Sequence, residues 1–121
     1  MTRILYIEDD ALVARSVMRC IRSIVPDAKV THVDDYDRAV ACLEGAAFDV
    51  VLSDYDLAPG TRGSGGSLLT WIEKNQPALK QRFIFLSSND ACGARGVPWL
   101  EKPATKDELA AALTYALRGR K

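Results

Sequence analysis

The sequence predicts an α/β fold: a parallel sheet with helices wound over both faces. Short apolar runs of strand length alternate with stretches of helical period. The runs ILYI, VVLS, FIFL and VPWL are apolar almost throughout, as strands covered on both faces are, rather than alternating apolar with polar. Each run also ends in residues that carry chemistry: Glu8-Asp9-Asp10, Asp54, Ser87-Ser88 and Glu101-Lys102.

Arg3 to Ile7 is the first predicted strand, and Asp10 can cap the helix after it. Val13, Val17, Ile21 and Ile24 recur at helical spacing until Pro26 stops them. Lys29 to Val33 is a β-branched second strand. Asp35 offers the next cap, and Ala39, Val40 and Leu43 line one helical face before Gly45. Phe48 to Ser53 is the third strand. A Gly-rich loop, APGTRGSGG, leads to a helix carrying Leu68, Leu69 and Ile72 that ends before Pro77. Phe83 to Leu86 and Val97 to Leu100 are the fourth and fifth strands. Thr105 and Glu108 form a capping box for the last helix, whose inner face is Leu109, Leu113 and Leu117. The closing RGRK is expected to fray.

Repeated βα units of this kind imply right-handed crossovers. Five strands fit a flavodoxin-like, doubly wound (βα)5 sheet in the order 2-1-3-4-5. The 121 residues suit a single domain with one core, residues 1–121. Sixteen basic and sixteen acidic residues cancel, which gives no reason to expect direct nucleic acid or membrane binding. No apolar stretch is long enough to span a membrane, and the N-terminus lacks the build of a signal peptide. Cys20, Cys42 and Cys92 are scattered and form no C-x-x-C pair, so reduced thiols in a cytoplasmic protein are expected.

Parallel strands deliver their C-terminal ends to one sheet edge, where open α/β sheets bind ligands. That edge should gather Glu8, Asp9, Asp54, Ser87 and Lys102. Two unit charges about 4 Å apart repel by roughly 4 kcal/mol at an effective dielectric near 20, so three carboxylates there require a cation. Hard oxygen ligands, few in number, favour Mg2+ with waters retained. A carboxylate beside a metal and a lysine can act as a nucleophile toward phosphorus. Asp54 alone would be taken for a helix cap; its company makes it a phosphoacceptor candidate.

EDD after strand one, SDYDLAPG after strand three, a hydroxyl residue after strand four and KP after strand five together resemble the receiver domain of two-component response regulators (CheY-like). The resemblance covers nearly the whole chain. It implies that Asp54 takes a phosphoryl group from a phosphohistidine on a sensor histidine kinase or histidine phosphotransfer protein, and that a downstream protein reads the result. It implies that Glu8, Asp9, Asp54 and the backbone carbonyl of Asp56 hold the magnesium. Ser87 and Lys102 would engage the phosphoryl group. Trp99 matches an aromatic that changes rotamer on activation, alongside Ser87 as the switch. Arg15, Arg19 and Arg22 form a stripe on the first helix that is either a solvated face or a docking surface for the phosphodonor.

The chain also departs from that family. Between Ser87 and the fifth strand only SNDACGARG remains, room for about two helical turns at most, and its glycines disfavour helix. The family's fourth helix should therefore be shortened or missing. Ala104 follows Lys102-Pro103 where the family commonly has an aromatic. Asp56 brings a further carboxylate near the site. His32, near the end of strand two, is expected to be structural and distant from the cluster. A second resemblance competes: Asp54-Tyr55-Asp56, Ser87 and Lys102 follow the motif order of haloacid-dehalogenase phosphatases, in which the first Asp is the nucleophile. That family places its nucleophile near the N-terminus and further acidic ligands after the lysine, which this chain does not.

Overall fold

The structure is a computed structural model describing residues 2–56 and 65–118. Five strands, β1 (Arg3–Ile7), β2 (Lys29–Val33), β3 (Val50–Ser53), β4 (Phe83–Ser87) and β5 (Trp99–Glu101), pair in parallel in the order β2-β1-β3-β4-β5. Between and after them run α1 (Ala11–Ile24), α2 (Tyr36–Gly45), α3 (Gly65–Asn75) and α4 (Lys106–Arg118), with 3-10 helices at Pro77–Arg82 and Asp90–Arg95.

Alternation along the strands divides the apolar side chains between two layers. Leu5, Ile7, Val51, Phe83 and Phe85 face Ala39 and Leu43 of α2 and Leu68, Leu69 and Ile72 of α3. Ile4, Tyr6, Val50, Leu52, Ile84 and Leu86 face Ala14 and Ile21 of α1 and Leu109, Leu113 and Ala116 of α4. Strands buried on both faces account for the near-continuous apolar runs.

The helix starts follow the expected chemistry. Asp10 Oδ1 accepts the amides of Leu12 and Val13 at 3.0 and 3.1 Å, and Asp35 Oδ1 accepts that of Arg38 at 2.8 Å. The capping box of α4 is reciprocal: Glu108 N donates to Thr105 Oγ at 3.1 Å, and Thr105 N to Glu108 Oε1 at 2.9 Å. Helix α2 ends at Gly45, as expected.

Several boundaries differ from expectation. β3 begins at Val50, not Phe48, because Asp49 is occupied with Arg3: its amide donates to the Arg3 carbonyl at 2.8 Å and its Oδ2 accepts the Arg3 amide at 2.8 Å. β5 begins at Trp99, not Val97, since Pro98 has no N–H for the ladder; its carbonyl still accepts Phe85 N at 2.9 Å. Pro77 ends one helix and opens another, a 3-10 helix the sequence pattern did not indicate.

Between β4 and β5 the expected shortening holds: the segment forms only the 3-10 helix Asp90–Arg95. Arg95 fastens it to α3, donating to the Gly66 carbonyl at 3.1 Å and to Thr70 Oγ at 3.0 Å. The fit is close, because a Cβ on Gly66 would stand 3.1 Å from both Arg95 Nη1 and Tyr55 Cε2. Residue 57, most of the Gly-rich loop (58–64) and the last three residues of RGRK lie outside the described residues. Among the described residues no helix is long and apolar enough to cross a membrane.

Candidate functional site

Register decides which strand ends meet. Ile7 pairs with Ser53, so Glu8 and Asp54 emerge side by side, and Asp54 N donates to the Ile7 carbonyl at 3.0 Å. Ser87 pairs with Glu101, so Lys102 follows next to it and its amide donates to the Ser87 carbonyl at 3.3 Å. Glu8, Asp54 and Lys102 continue the even-numbered rows that face α1 and α4. Their side chains therefore converge, although they lie far apart in sequence.

Lys102 Nζ donates to Glu8 Oε1 at 2.5 Å and to Asp54 Oδ2 at 2.9 Å. The Glu8 side chain is only 1% exposed, that of Asp54 11% and that of Lys102 21%. Glu8 Oε2 also accepts the Asp10 amide at 3.3 Å, and Asp54 Oδ1 accepts the Asp56 amide at 3.1 Å. Asp9 is exposed, and each of Glu8, Asp9 and Asp54 has a carboxylate oxygen within 4.8 Å of the other two.

Burial pushes the Glu8 carboxyl above its ordinary range, and the charge of Asp54 adds to the rise; the Lys102 hydrogen bond and charge and the Asp10 amide oppose it without cancelling it. Burial alone would lower Lys102. Its hydrogen bonds and charge contacts with Glu8 and Asp54 outweigh that, and its ammonium is held above the usual lysine value. Tyr6 lies beneath them, and burial first, then the charges of Glu8 and Asp54, hold its phenol proton far above the ordinary range.

Solved structures share this architecture over nearly the whole chain. The receiver domain of a sensor histidine kinase from Pseudomonas aeruginosa, with a magnesium ion coordinated in its active site cleft, is 26% identical with a TM-score of 0.82, and 98% of each chain is covered. The signal receiver domain of a signal transduction histidine kinase from Syntrophus aciditrophicus is 25% identical with a TM-score of 0.82, covering 100% of this chain and 93% of that one. A response regulator receiver domain protein from Clostridium thermocellum is 22% identical with a TM-score of 0.83, covering 98% and 95%.

The chain has the receiver-domain fold. No protein-family model matches it, and no curated protein matches it by sequence, so the likeness is carried by the structure. In this receiver fold three hard carboxylates meet at one strand edge beside a lysine, a donor set that fits Mg2+.

Glu8, Asp9, Asp54 and Lys102 thus gather as expected. Ser87 reaches the cluster only through its backbone carbonyl and the Lys102 amide. Its side chain continues the opposite row, with Phe83 and Phe85, and its Oγ accepts the Asn89 amide at 3.2 Å. Trp99 packs against the α2–α3 layer and donates its indole N–H to the Ser87 carbonyl at 3.0 Å. A Cβ on Gly93 would stand 3.1 Å from the Trp99 ring. Arg15, Arg19 and Arg22 are all exposed on α1.

His32 is a correction. It is not distant from the cluster: its Nε2 lies 2.7 Å from the Glu8 carbonyl, to which it donates, and its ring stands 5.7 Å from that of Tyr6. Register places it there: His32 pairs with Tyr6 just short of the functional edge. Asn89 was also missed. Its amide nitrogen lies 3.1 Å from both carboxylate oxygens of Asp56, joining the β3 and β4 loops; nothing in the local sequence pattern marked that partner.

Proposed function

We propose that this receiver domain, a single domain over residues 1–121, accepts a phosphoryl group on Asp54 from the phosphohistidine of a sensor histidine kinase or histidine phosphotransfer protein, and signals by a change of shape. The Lys102 ammonium shared between Glu8 and Asp54, with the Asp9 carboxylate alongside, carries this reading.

In the transfer, an Asp54 carboxylate oxygen forms a bond to phosphorus as the bond from phosphorus to the imidazole nitrogen breaks. That nitrogen keeps the electron pair, and the product is an aspartyl phosphate. The Asp56 amide orients the Asp54 carboxylate. Lys102 is positioned to follow charge from the carboxylate to the phosphoryl oxygens, which is most of what such a transfer requires. Glu8, Asp9, Asp54 and the Asp56 carbonyl would hold Mg2+, which when bound supplies further positive charge for those oxygens. Ser87 retains an O–H to donate, since its hydroxyl acts as acceptor toward Asn89. A move of Ser87 toward a phosphoryl oxygen would disturb the Trp99 contact, giving the switch its route to the surface.

The haloacid-dehalogenase alternative is weaker. Glu8, just past the first strand, sits against the lysine and the proposed nucleophile, which is the receiver arrangement. Incubation with Mg2+ and labelled acetyl phosphate should give one acid-stable equivalent on the protein, absent in Asp54→Asn. Multiple turnover of a small phosphate ester, or labelling that survives Asp54→Asn, would overturn the proposal.

A further inference from the structure

Tyr6 is wholly buried in β1, two residues before Glu8 and on the same face of the strand. Its hydroxyl makes no hydrogen bond to any described residue. Buried polar groups are ordinarily paired, and one that is not calls for a reason. A phenylalanine would fill the same space without stranding a polar group. The ring is fixed from both sides. It pairs in register with His32 on β2 and Leu52 on β3, and His32, bonded to the Glu8 carbonyl at 2.7 Å, lies 5.7 Å from it between centroids. Burial first, then the Glu8 and Asp54 charges, keep the proton on the phenol, and the Glu8 carboxylate is near enough to serve as its acceptor. The group therefore presents an uncommitted O–H to the acidic site.

Glu8 is the group that would need it. In the resting site its Oε1 takes the Lys102 ammonium at 2.5 Å and its Oε2 the Asp10 amide at 3.3 Å. The same ammonium holds Asp54 Oδ2 at 2.9 Å. When Lys102 follows charge onto phosphoryl oxygens at Asp54, Oε1 loses its donor. The Glu8 side chain is 1% exposed, so bulk water is poorly placed to replace that bond, and a buried carboxylate without a partner is costly. Neighbouring donors are already in use: the Ser53 hydroxyl donates to the Asp54 carbonyl at 2.8 Å, and His32 Nε2 to the Glu8 carbonyl.

Resting on the phosphoacceptor role of Asp54, we propose that Tyr6 is a positioning residue for the phosphorylated state: its hydroxyl takes over the Glu8 carboxylate when Lys102 turns to the phosphoryl group. While Lys102 spans Glu8 and Asp54, the hydroxyl idles. Once the ammonium leaves, the phenol donates to Glu8 and keeps that side chain in place. The bond forms in one state only, so it favours the modified protein and adds nothing to the resting one. Tyr6 acts through Glu8 and Lys102 and does not touch the reacting atoms.

The test is Tyr6→Phe in the full chain, alone and combined with Lys102→Met. Without metal, urea denaturation of Tyr6→Phe should match or exceed the wild type, because the resting hydroxyl has no bond to lose. In the Lys102→Met background Glu8 already lacks its donor, so there the same substitution should lower stability, and the two changes should not add. With Mg2+ and beryllium fluoride, a mimic of the phosphoryl group on Asp54, Tyr6→Phe should bind the mimic about tenfold or more weakly than the wild type, as the loss of one hydrogen bond to a charged group predicts. A merely structural hydroxyl would instead cost stability in the resting protein and leave affinity for the mimic unchanged. A destabilised or unfolded Tyr6→Phe, additive effects of the two substitutions, or wild-type affinity of Tyr6→Phe for the mimic would each overturn the proposal. If Lys102→Met does not fold, the beryllium fluoride comparison decides alone. A wild-type chain that neither binds beryllium fluoride nor is labelled by acetyl phosphate would overturn the phosphoacceptor reading, and the proposal with it.

Discussion

Lys102 and Glu8 are 94 positions apart in sequence and joined by a 2.5 Å hydrogen bond. One is the first residue past the last strand, the other the first past the first strand. The bond closes across β3 and β4, and Asp54 sits beneath the same ammonium. Glu8 is nearly sealed from solvent, so it depends on that single counter-charge.

Removing the ammonium should therefore be costly. Lys102→Met leaves an uncompensated buried carboxylate, and breaking a buried pair from one side costs about 3–5 kcal/mol. Urea denaturation in the absence of divalent cations should show the loss. The double variant Lys102→Met with Glu8→Gln should recover much of it, since no charge is then stranded. A single variant as stable as the wild type would mean that Glu8 is not held by Lys102 in solution.

Asp9 should behave in the opposite way. It is exposed and sits close to two other carboxylates. Asp9→Asn relieves repulsion, so metal-free stability should stay within about 0.5 kcal/mol of the wild type. Magnesium should raise the melting temperature of the wild type by mass action. Losing even an outer partner of a metal ligand lowers affinity by about 10–100-fold, and Asp9→Asn should shift the magnesium midpoint at least that far. Equal midpoints for the two proteins would remove Asp9 from the metal site.

Glu73 provides the pH signature. The hydrogen bond from Lys80 (Nζ to Oε2, 2.7 Å) acts most strongly on its carboxyl; burial opposes it, and the Lys80 and Arg95 charges and the Arg95 hydrogen bond add to it, so the group is held below the ordinary range. A depressed carboxylate binds fewer protons in the folded state. Its contribution to stability is thus present above the ordinary carboxylate value and is lost as pH falls through the lowered folded value. Glu73→Gln should flatten stability across that acidic window and loosen the Asp90–Arg95 turn, read as faster amide exchange there. An unchanged acid profile would show that the Arg95–Glu73–Lys80 contacts carry no weight.

Thr105→Ala removes half of the reciprocal Thr105–Glu108 cap of α4. Stability should fall by about 1 kcal/mol, while acetyl phosphate labelling of Asp54 is unchanged. A loss of labelling would tie the start of α4 to the chemistry.

The strand order and the meeting of Glu8, Asp9, Asp54 and Lys102 were legible because they follow from two simple periodicities. Apolar runs marked the strands, and parallel pairing sent their ends to one edge. What escaped depended on contacts that no local period records. The start of β3 was set by Asp49 binding the Arg3 backbone, and the start of β5 by Pro98. Pro77 was visible as a stop but equally serves as a start. His32 was misplaced although its strand was correct, because its distance from Glu8 depends on register, and register is fixed only when the strands pair. Asn89 reaches Asp56 through a loop-to-loop contact that could be seen only in three dimensions.

Trp99 gives its indole N–H to the carbonyl of Ser87, the residue proposed to move when Asp54 carries phosphate. The protein thus carries its own fluorophore wired to the reactive edge. The chain contains two tryptophans, so Trp71→Phe leaves Trp99 as the lone emitter, and the colour and intensity of its light become a running record of whether the Ser87 carbonyl is still engaged.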